Sequence, residues 1–373
     1  MAIAVRPVAT WRDRRAFMRL PWRIYAGDAN WVPMTARLER DQLDTRRHPF
    51  WQHGRGVLLL AYRGGEPAGR ITAHIDDNYI AHWSEQAGWF GFFECIDDKA
   101  VAAALLDAAG AWLRHEGIRV MRGPASPSTF NRFGVLTEGF DTPPVFMLSY
   151  NPPYYPALLE GCGLTAAKEL LAHTRSTLPS APTSAELYAI AARVRRNPRV
   201  TVRPLDRSRV DGESRQVAEI YNECWARNWG FAPVTVAEMK AVVVSVARFV
   251  PDELTTLVCY DGAPVGVSVV VPDLNELFAR LRGVRGVFNW LRAPWLVRRI
   301  EGCRAVIIGC KPRYRRLGIP ALQYCLGETH VRRHFSRIEF SWVLDDNTLT
   351  NQLVSRFGAA VYKRYRVYER TLE

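Results

Sequence analysis

The chain repeats itself, and that bounds its fold more tightly than anything else in the sequence. Val5-Arg6-Pro7 returns as Val202-Arg203-Pro204. Tyr62-Arg63-Gly64-Gly65-Glu66-Pro67-Ala68-Gly69 returns as Tyr260-Asp261-Gly262-Ala263-Pro264-Val265-Gly266, and Leu158-Leu159-Glu160-Gly161-Cys162-Gly163 as Leu353-Val354-Ser355-Arg356-Phe357-Gly358. The three matches keep their order at offsets of about 195 to 198 residues, which is the signature of two copies of one fold. With 373 residues, 48% of them hydrophobic, the chain can build two ordinary cores. The expected layout is a first copy over 1–173, a Ser/Thr/Pro-rich linker over 174–183 and a second copy over 184–373.

Within each copy the periodicity changes in the same sequence. An opening strand at Val5 or Val202 leads into helical spacing. A hairpin follows, with turn signals at Gly64-Gly65 and Asp261-Gly262 between apolar runs of strand length. Then come a further apolar strand (Trp89–Cys95 or Ala305–Cys310), an amphipathic helix (Val101–His115 or Ile319–His334) and another strand (Arg119–Gly123 or Arg337–Val343). A short helix then stops at Gly163 or Gly358. An antiparallel meander followed by a strand–helix–strand crossover is a mixed α/β order, and it predicts a mixed central sheet flanked by helices in each copy.

The two copies differ at the turn from the apolar strand into the amphipathic helix. The second copy reads Ile308-Gly309-Cys310-Lys311-Pro312-Arg313-Tyr314-Arg315-Arg316-Leu317-Gly318-Ile319-Pro320. Backbone N–H groups at such a helix start, approached over a glycine and set in a cationic field, are suited to a pyrophosphate. The first copy reads Glu94-Cys95-Ile96-Asp97-Asp98-Lys99, with no glycine and three acids, which would repel one. The strand, the Arg315-x-x-Gly318-x-Pro320 loop and the following helix resemble the acyl-CoA motif of the GNAT acyltransferases. The resemblance spans the whole chain, once per half. It implies acyl-CoA as co-substrate, held by Ile308, Gly309, Cys310, Lys311, Arg315, Arg316, Leu317, Gly318 and Ile319, with Asn347 at a position that often touches the cofactor in that family. Pro320 departs from the family's Gly or Ala and removes one N–H donor. The family's usual acid, a tyrosine four residues before the last glycine, is replaced by Val354. Tyr362, Tyr365 and Tyr368 lie just downstream as alternatives.

Acyl transfer to an amine needs a base for the amine and a proton for the departing thiolate. In Ser336-Arg337-Ile338-Glu339-Phe340-Ser341-Trp342, strand alternation puts Arg337, Glu339 and Ser341 on one face. A glutamate in a central strand is costly unless it is paired or functional. Glu339 is therefore the first candidate base, with an ion pair to Arg337 or another arginine as the plain alternative. Glu223 is second, in Tyr221-Asn222-Glu223-Cys224-Trp225-Ala226-Arg227-Asn228-Trp229-Gly230-Phe231. That aromatic segment reads equally as a pocket wall or as a core helix. Asn228 and Trp229, together with Trp342 and with Asn131 of the proline-stiffened loop 123–144, are expected to touch the amine substrate.

The formal charge of +13 suits a polyanionic partner, although only Lys99, Lys168, Lys240, Lys311 and Lys363 of the fifty basic residues are lysine. No nucleic-acid recognition motif accompanies it, so nucleic acid is not expected as a partner. Seven scattered cysteines, none at zinc spacing, read as buried free thiols in a cytoplasmic protein with no metal site. The second copy carries an insertion, Asp273–Gly302, with Leu274, Leu277, Phe278, Leu281, Val284, Val287, Phe288, Leu291 and Trp295 at helical spacing among six arginines. It reads either as an interfacial helix for an anionic membrane surface, making the protein peripheral on it, or as a lid over the substrate groove. Together with the duplicated layout and Asn228-Trp229-Gly230-Phe231, it is similar to long-chain members of the superfamily, including bacterial ceramide synthases. The sequence therefore points to an acyl-CoA N-acyltransferase for a lipid-like amine such as a sphingoid base. An acetyltransferase for a small amine or peptide, and an inactive acyl-CoA sensor, are the alternatives.

Overall fold

Both copies fold around a sheet that begins antiparallel and becomes parallel at one crossover. The structure is a computed structural model describing residues 2–178, 184–247, 249–281 and 292–373. The expected linker residues 179–183 lie outside the described residues. The chain divides into two units, one comprising Met1–Leu170 with Lys363–Glu373, the other Leu171–Tyr362.

In the first unit, β1 (Ile3–Pro7), β2 (Gly54–Arg63), β3 (Glu66–Asp76) and β4 (Ala87–Cys95) pair antiparallel in that order. The β2–β3 turn places Gly64 and Gly65 at φ of 59° and 86°, the left-handed geometry that a tight hairpin demands. Helix α4 (Lys99–His115), the fourth after α1 (Trp11–Ile24), α2 (Ala36–Gln42) and α3 (Asp77–Trp83), carries the crossover to β5 (Val120–Gly123), which lies parallel to β4. Val101, Ala102, Leu105, Leu106, Ala109 and Leu113 recur on one face of α4, and all are buried in the unit's core. Beyond β5 the sheet is closed by the last stretch of the chain, where Thr371, Arg370, Glu369 and Tyr368 pair antiparallel with Val120, Met121, Arg122 and Gly123. Tyr368 and Leu372 belong to this core.

The second unit repeats the plan. Helix α6 (Ala185–Arg195) precedes β10 (Val200–Pro204), and α7 (Val210–Trp225) and α8 (Val236–Ala247) follow it. The hairpin is β11 (Thr255–Tyr260) and β12 (Ala263–Pro272), turning at Asp261 and Gly262 with φ of 50° and 79°. Then come α9 (Leu274–Arg280), α10 (Ala293–Val297), β13 (Gly302–Cys310), α11 (Ile319–His334), β14 (Arg337–Leu344) and α12 (Thr348–Arg356). The sheet order is β10-β11-β12-β13-β14, parallel only between β13 and β14. Next to β14 runs the later part of β9 (Thr165–Ser176), where Thr174 Oγ1 donates to Ile338 O at 3.3 Å. Thus β9 and the final strand β15 (Ala360–Thr371) each begin in one unit and end in the other.

The mixed α/β class with two GNAT-like folds in tandem is what the repeat predicts. Leu274, Leu277, Phe278 and Leu281 are at most 5% exposed, so the apolar stripe of α9 packs on the protein and presents nothing to a surface. Val284, Val287, Phe288, Trp290 and Leu291 lie outside the described residues.

Candidate active site

In the second unit, β13 and β14 are paired only from Gly302/Arg337 to Ala305/Phe340. One step further on, the register of β13 with β12 slips, so that Val269 faces Ile307 while Val270 faces Ala305 and Val306 is the extra residue. A bulge of this kind bends its strand and turns its side chains over. β13 and β14 therefore diverge beyond Ala305, and side chains from both can enter the opening.

The bulge brings Arg304 onto the same face as Glu339 and Ser341. The Arg304 guanidinium, 4% exposed, donates from Nε to Ser341 Oγ and from Nη2 to Ser341 O, each at 3.0 Å. Glu339, 1% exposed, accepts hydrogen bonds from Ser341 Oγ on one carboxylate oxygen and from the Tyr362 hydroxyl on the other. Arg337, the pairing partner weighed from sequence, bonds Glu276 at 3.3 Å instead and lies half exposed at the edge of the unit. On the opposite face, Phe340 stacks on Tyr324 of α11 at 5.6 Å, and Tyr324 stacks on Phe357 at 5.1 Å. Strand alternation thus sorts β14 into an apolar face toward α11 and a polar face carrying Glu339.

Of the three downstream tyrosines, Tyr362 is the one that belongs to the second unit and bonds Glu339. Tyr368 donates to Glu160 Oε1 at 2.9 Å, and Tyr365 and Tyr368 are buried in the first unit. Val354, at the family's usual acid position, is a fully buried core residue.

The loop after β13 is a short 3-10 helix, Pro312–Leu317, ending at Gly318 with φ of +85°. A Cβ there would stand 2.8 Å from Ile190 Cγ2 and 2.9 Å from Val194 Cγ2 of α6, so both the backbone angle and the space require glycine. No side chain caps α11. The N–H groups of Ile319 and Ala321 have no partner among the described residues, and Pro320 has none to offer. This leaves a helix start open to an anion. The cationic residues divide in use. Arg315 is occupied, donating to Cys310 O at 3.0 Å and to Cys224 O at 2.9 Å, so it ties the end of β13 to the end of α7. Lys311 pairs with Glu223 at 2.5 Å. Arg313 lies over the Tyr314 ring at 4.8 Å, and Arg316 and Leu317 are exposed.

Glu223 is half exposed beside the loop, and the structure does not bring it to Glu339's cluster. Its neighbour Trp225, read from sequence only as part of the aromatic segment, covers Gly309. A Cβ on Gly309 would be 2.4 Å from the Trp225 ring, and Tyr221 stacks on that ring at 4.7 Å. Asn228 and Trp229 follow in a turn, half buried, with Asn228 N–H bonded to Trp225 O at 2.8 Å. Asn222 clamps the returning loop, its Oδ1 accepting from Val234 N–H at 2.9 Å. Ile308 points to the other face, into a cavity of about 20 Å³ with Tyr324 and Phe340. Burial pushes the thiols of Cys224 and Cys310 up to about 12. Trp342 is half buried in β14, and Asn347 is the N-cap of α12, its Oδ1 accepting from Thr350 N–H at 3.2 Å. Asn131 lies in the first unit, where its Nδ2 donates to Ser128 Oγ at 3.0 Å.

The first unit has the same scaffold with the opposite chemistry. Asp98 caps α4, accepting from Ala100 N–H at 2.9 Å and Val101 N–H at 3.3 Å, and it pairs with Arg63. At the rung of the parallel ladder where the second unit has Arg304 opposite Glu339, the first has Trp89 opposite Arg122. Arg122 is locked to Glu85 at 2.6 Å and Glu369 at 2.7 Å.

Comparison with known proteins agrees with this fold. Over 99% of its length the chain is 34% identical to the protein YghO of Escherichia coli (strain K12), spanning 95% of it. It is 33% identical, again over 99% of its length, to the bacterial ceramide synthase of Caulobacter vibrioides (strain NA1000 / CB15N), spanning 98% of that protein. The chain belongs to the GNAT acyltransferase family of bacterial ceramide synthase. Among solved structures it matches a tandem GNAT protein from the clavulanic acid biosynthesis pathway, with a TM-score of 0.58 at 10% identity over 100% of this chain and 99% of that one. No protein-family model matches it. Membership makes it an acyltransferase, and the fold implies an acyl-CoA co-substrate and an acceptor. No helix among the described residues is long and apolar enough to cross a membrane.

Proposed function

We propose that the chain transfers a long-chain acyl group from acyl-CoA to the amine of a lipid-like acceptor, such as a sphingoid base, and that only the second copy binds acyl-CoA. The observation that carries this reading is the contrast between the copies. The second pairs an uncapped, glycine-led helix with a buried carboxylate beside a phenol. The first closes its helix with Asp98 and puts Arg122 at the carboxylate's position. The name of the Caulobacter relative supports the choice of acceptor.

The pyrophosphate is assigned to the N–H groups of Ile319 and Ala321, with the exposed Arg313 and Arg316 as its counter-charges. The thioester enters the opening between β13 and β14. Glu339 accepts a proton from the acceptor's ammonium and releases it to solvent, the free amine nitrogen then bonds to the acyl carbon and gives its next proton to Glu339, and the carbon–sulfur bond breaks. Tyr362, which shares Glu339's proton through its hydroxyl, returns one to the thiolate. The balance is amine plus thioester to amide plus free thiol, with one proton passed from nitrogen to sulfur. Arg304 holds Ser341, and through it the carboxylate. Trp225 and Trp229 are assigned to the wall of the acceptor pocket.

The test is free-thiol release over acyl-CoAs of increasing length, with a sphingoid base or a short amine as acceptor. Release favouring long chains and the sphingoid base is the expected result. Equal turnover of acetyl-CoA with a small amine would replace this reading by the acetyltransferase. Binding of acyl-CoA without thiol release from any acceptor would replace it by the sensor.

A further inference from the structure

Where the insertion rejoins β13, the second unit carries an open cleft of about 580 Å³ lined by Arg280, Leu296, Arg298, Arg299, Glu301 and His334, among others. Its cations differ in how far they are used. Arg280 donates from Nη1 to Arg299 O at 2.8 Å and lies 3.8 Å from Glu276. His334 is bonded to Glu253 at 2.9 Å. Arg298 and Arg299 are exposed and make no ion pair with any described residue. Glu301 is the one acid in the lining, against three arginines. Beside the cleft, Trp295 is 50% exposed, with the Arg299 guanidinium 3.6 Å above its ring. Its neighbours Leu296 and Ile300 are 6% and 5% exposed, so α10 is anchored on the protein by one side and presents its tryptophan and arginines on the other.

A large aromatic ring left half in water, next to cations that pair with no acid among the described residues, has the composition of a membrane–water interface. Tryptophan settles at headgroup depth, and arginine meets lipid phosphate there. We propose that this cleft is a phosphate-headgroup site through which the protein docks on an anionic phospholipid bilayer, with Trp295 entering the interface and Arg298 and Arg299 taking the phosphate. The stripe of α9 is buried on the protein, so the attachment proposed draws on Trp295 and the two arginines and not on that stripe. The inference deepens the lipid-acceptor reading, but its test does not depend on turnover.

The experiment is co-sedimentation of the full chain with vesicles of pure phosphatidylcholine, or of phosphatidylcholine with phosphatidylglycerol, at rising salt. Binding should require phosphatidylglycerol and weaken with salt. An arginine near an anionic leaflet contributes about 1 kcal/mol, so Arg298→Gln with Arg299→Gln should weaken partitioning by roughly thirtyfold. Trp295→Ser should lower binding at high salt, where charge is screened, more than at low salt. Thermal unfolding of the variants, unchanged from wild type, separates lost binding from lost folding. Failure to bind anionic vesicles, or equal binding by wild type and the double arginine variant, overturns the proposal. So does millimolar inorganic phosphate that stabilises wild type but not the variant while vesicles bind neither, since the cleft would then serve a soluble phosphate. Loss of vesicle binding in the variant with retained thiol release would leave the acyltransferase reading intact.

Discussion

Replacing Glu339 by glutamine separates a catalytic carboxylate from a structural one, because the two roles predict opposite ratios of lost rate to lost stability. The side chain is 1% exposed and bonded to Ser341 and Tyr362. Glutamine fills the same volume. Its oxygen can accept from one hydroxyl and its amide can donate to the other, so neither hydroxyl is orphaned. For a base the change is in the acceptor: the hydrogen bonds from Ser341 and Tyr362 become bonds to a neutral amide, at about 1 kcal/mol each from the difference between charged and neutral bonds. The expected loss of stability is therefore about 2 kcal/mol. If Glu339 takes the amine's proton, turnover should fall by about 10²–10⁴, corresponding to roughly 3–5 kcal/mol of transition-state stabilisation. The assay is single-turnover thiol release beside denaturant unfolding of the same preparation. Acyl-CoA affinity should stay within a few fold, since the carboxylate does not belong to the phosphate loop. The rate deficit should also shrink at high pH, where free amine no longer needs a base. A variant that keeps its rate within threefold at neutral pH while losing several kcal/mol of stability would refute the reasoning and make Glu339 a structural counter-charge.

Tyr362→Phe should lower the rate about tenfold to a hundredfold. Combined with Glu339→Gln it should cost less than the sum, as expected for groups acting on one proton; additive losses would place Tyr362 outside the proton path. Gly318→Ala sets a side chain at φ of +85° and 2.8 Å from Ile190, and should weaken CoA binding at least tenfold by calorimetry. Asp98→Ala should destabilise the fold by about 1 kcal/mol and leave CoA affinity unchanged; equal losses of affinity from the two would contradict a single cofactor site. With Cys224 and Cys310 pushed up to about 12, only on the order of 10⁻⁴ of each is thiolate at pH 8. Mass-mapped alkylation of the native protein at that pH should therefore spare both, and labelling at the rate of a free thiol would show that the burial around Trp225 is wrong.

What the sequence made legible was local. The hairpin turns and the start of α11 at Ile319 depend on residues within a few positions of one another, the repeat on matching such short stretches about 195 to 198 residues apart, and the structure has all three where the patterns indicate. The polar face of β14 was legible for the same reason. Arg304 was not, because strict alternation puts it on the face of Val306 and Ile308; the single extra residue at the bulge reverses that, and no residue type announces a bulge. Tyr362 could not be told from Tyr365 and Tyr368, since the choice depends on which unit each part of β15 joins. The stripe of α9 was visible as a stripe, but periodicity cannot say what covers it.

Each unit takes the strand that completes its part of the sheet from the tail of the other repeat. Lys363–Glu373 completes the first sheet, while residues 171–176 serve the second. A gene cut between the repeats would therefore encode two fragments that each lack an edge of their own and carry one belonging to the other. Neither should be a soluble half-enzyme when made alone, yet the two made together in one cell should recover a native product. For the lineage, this interlock means that neither copy can be discarded. Deletion of either half would unravel the other, so the duplication is kept by folding, whatever catalysis asks of each copy.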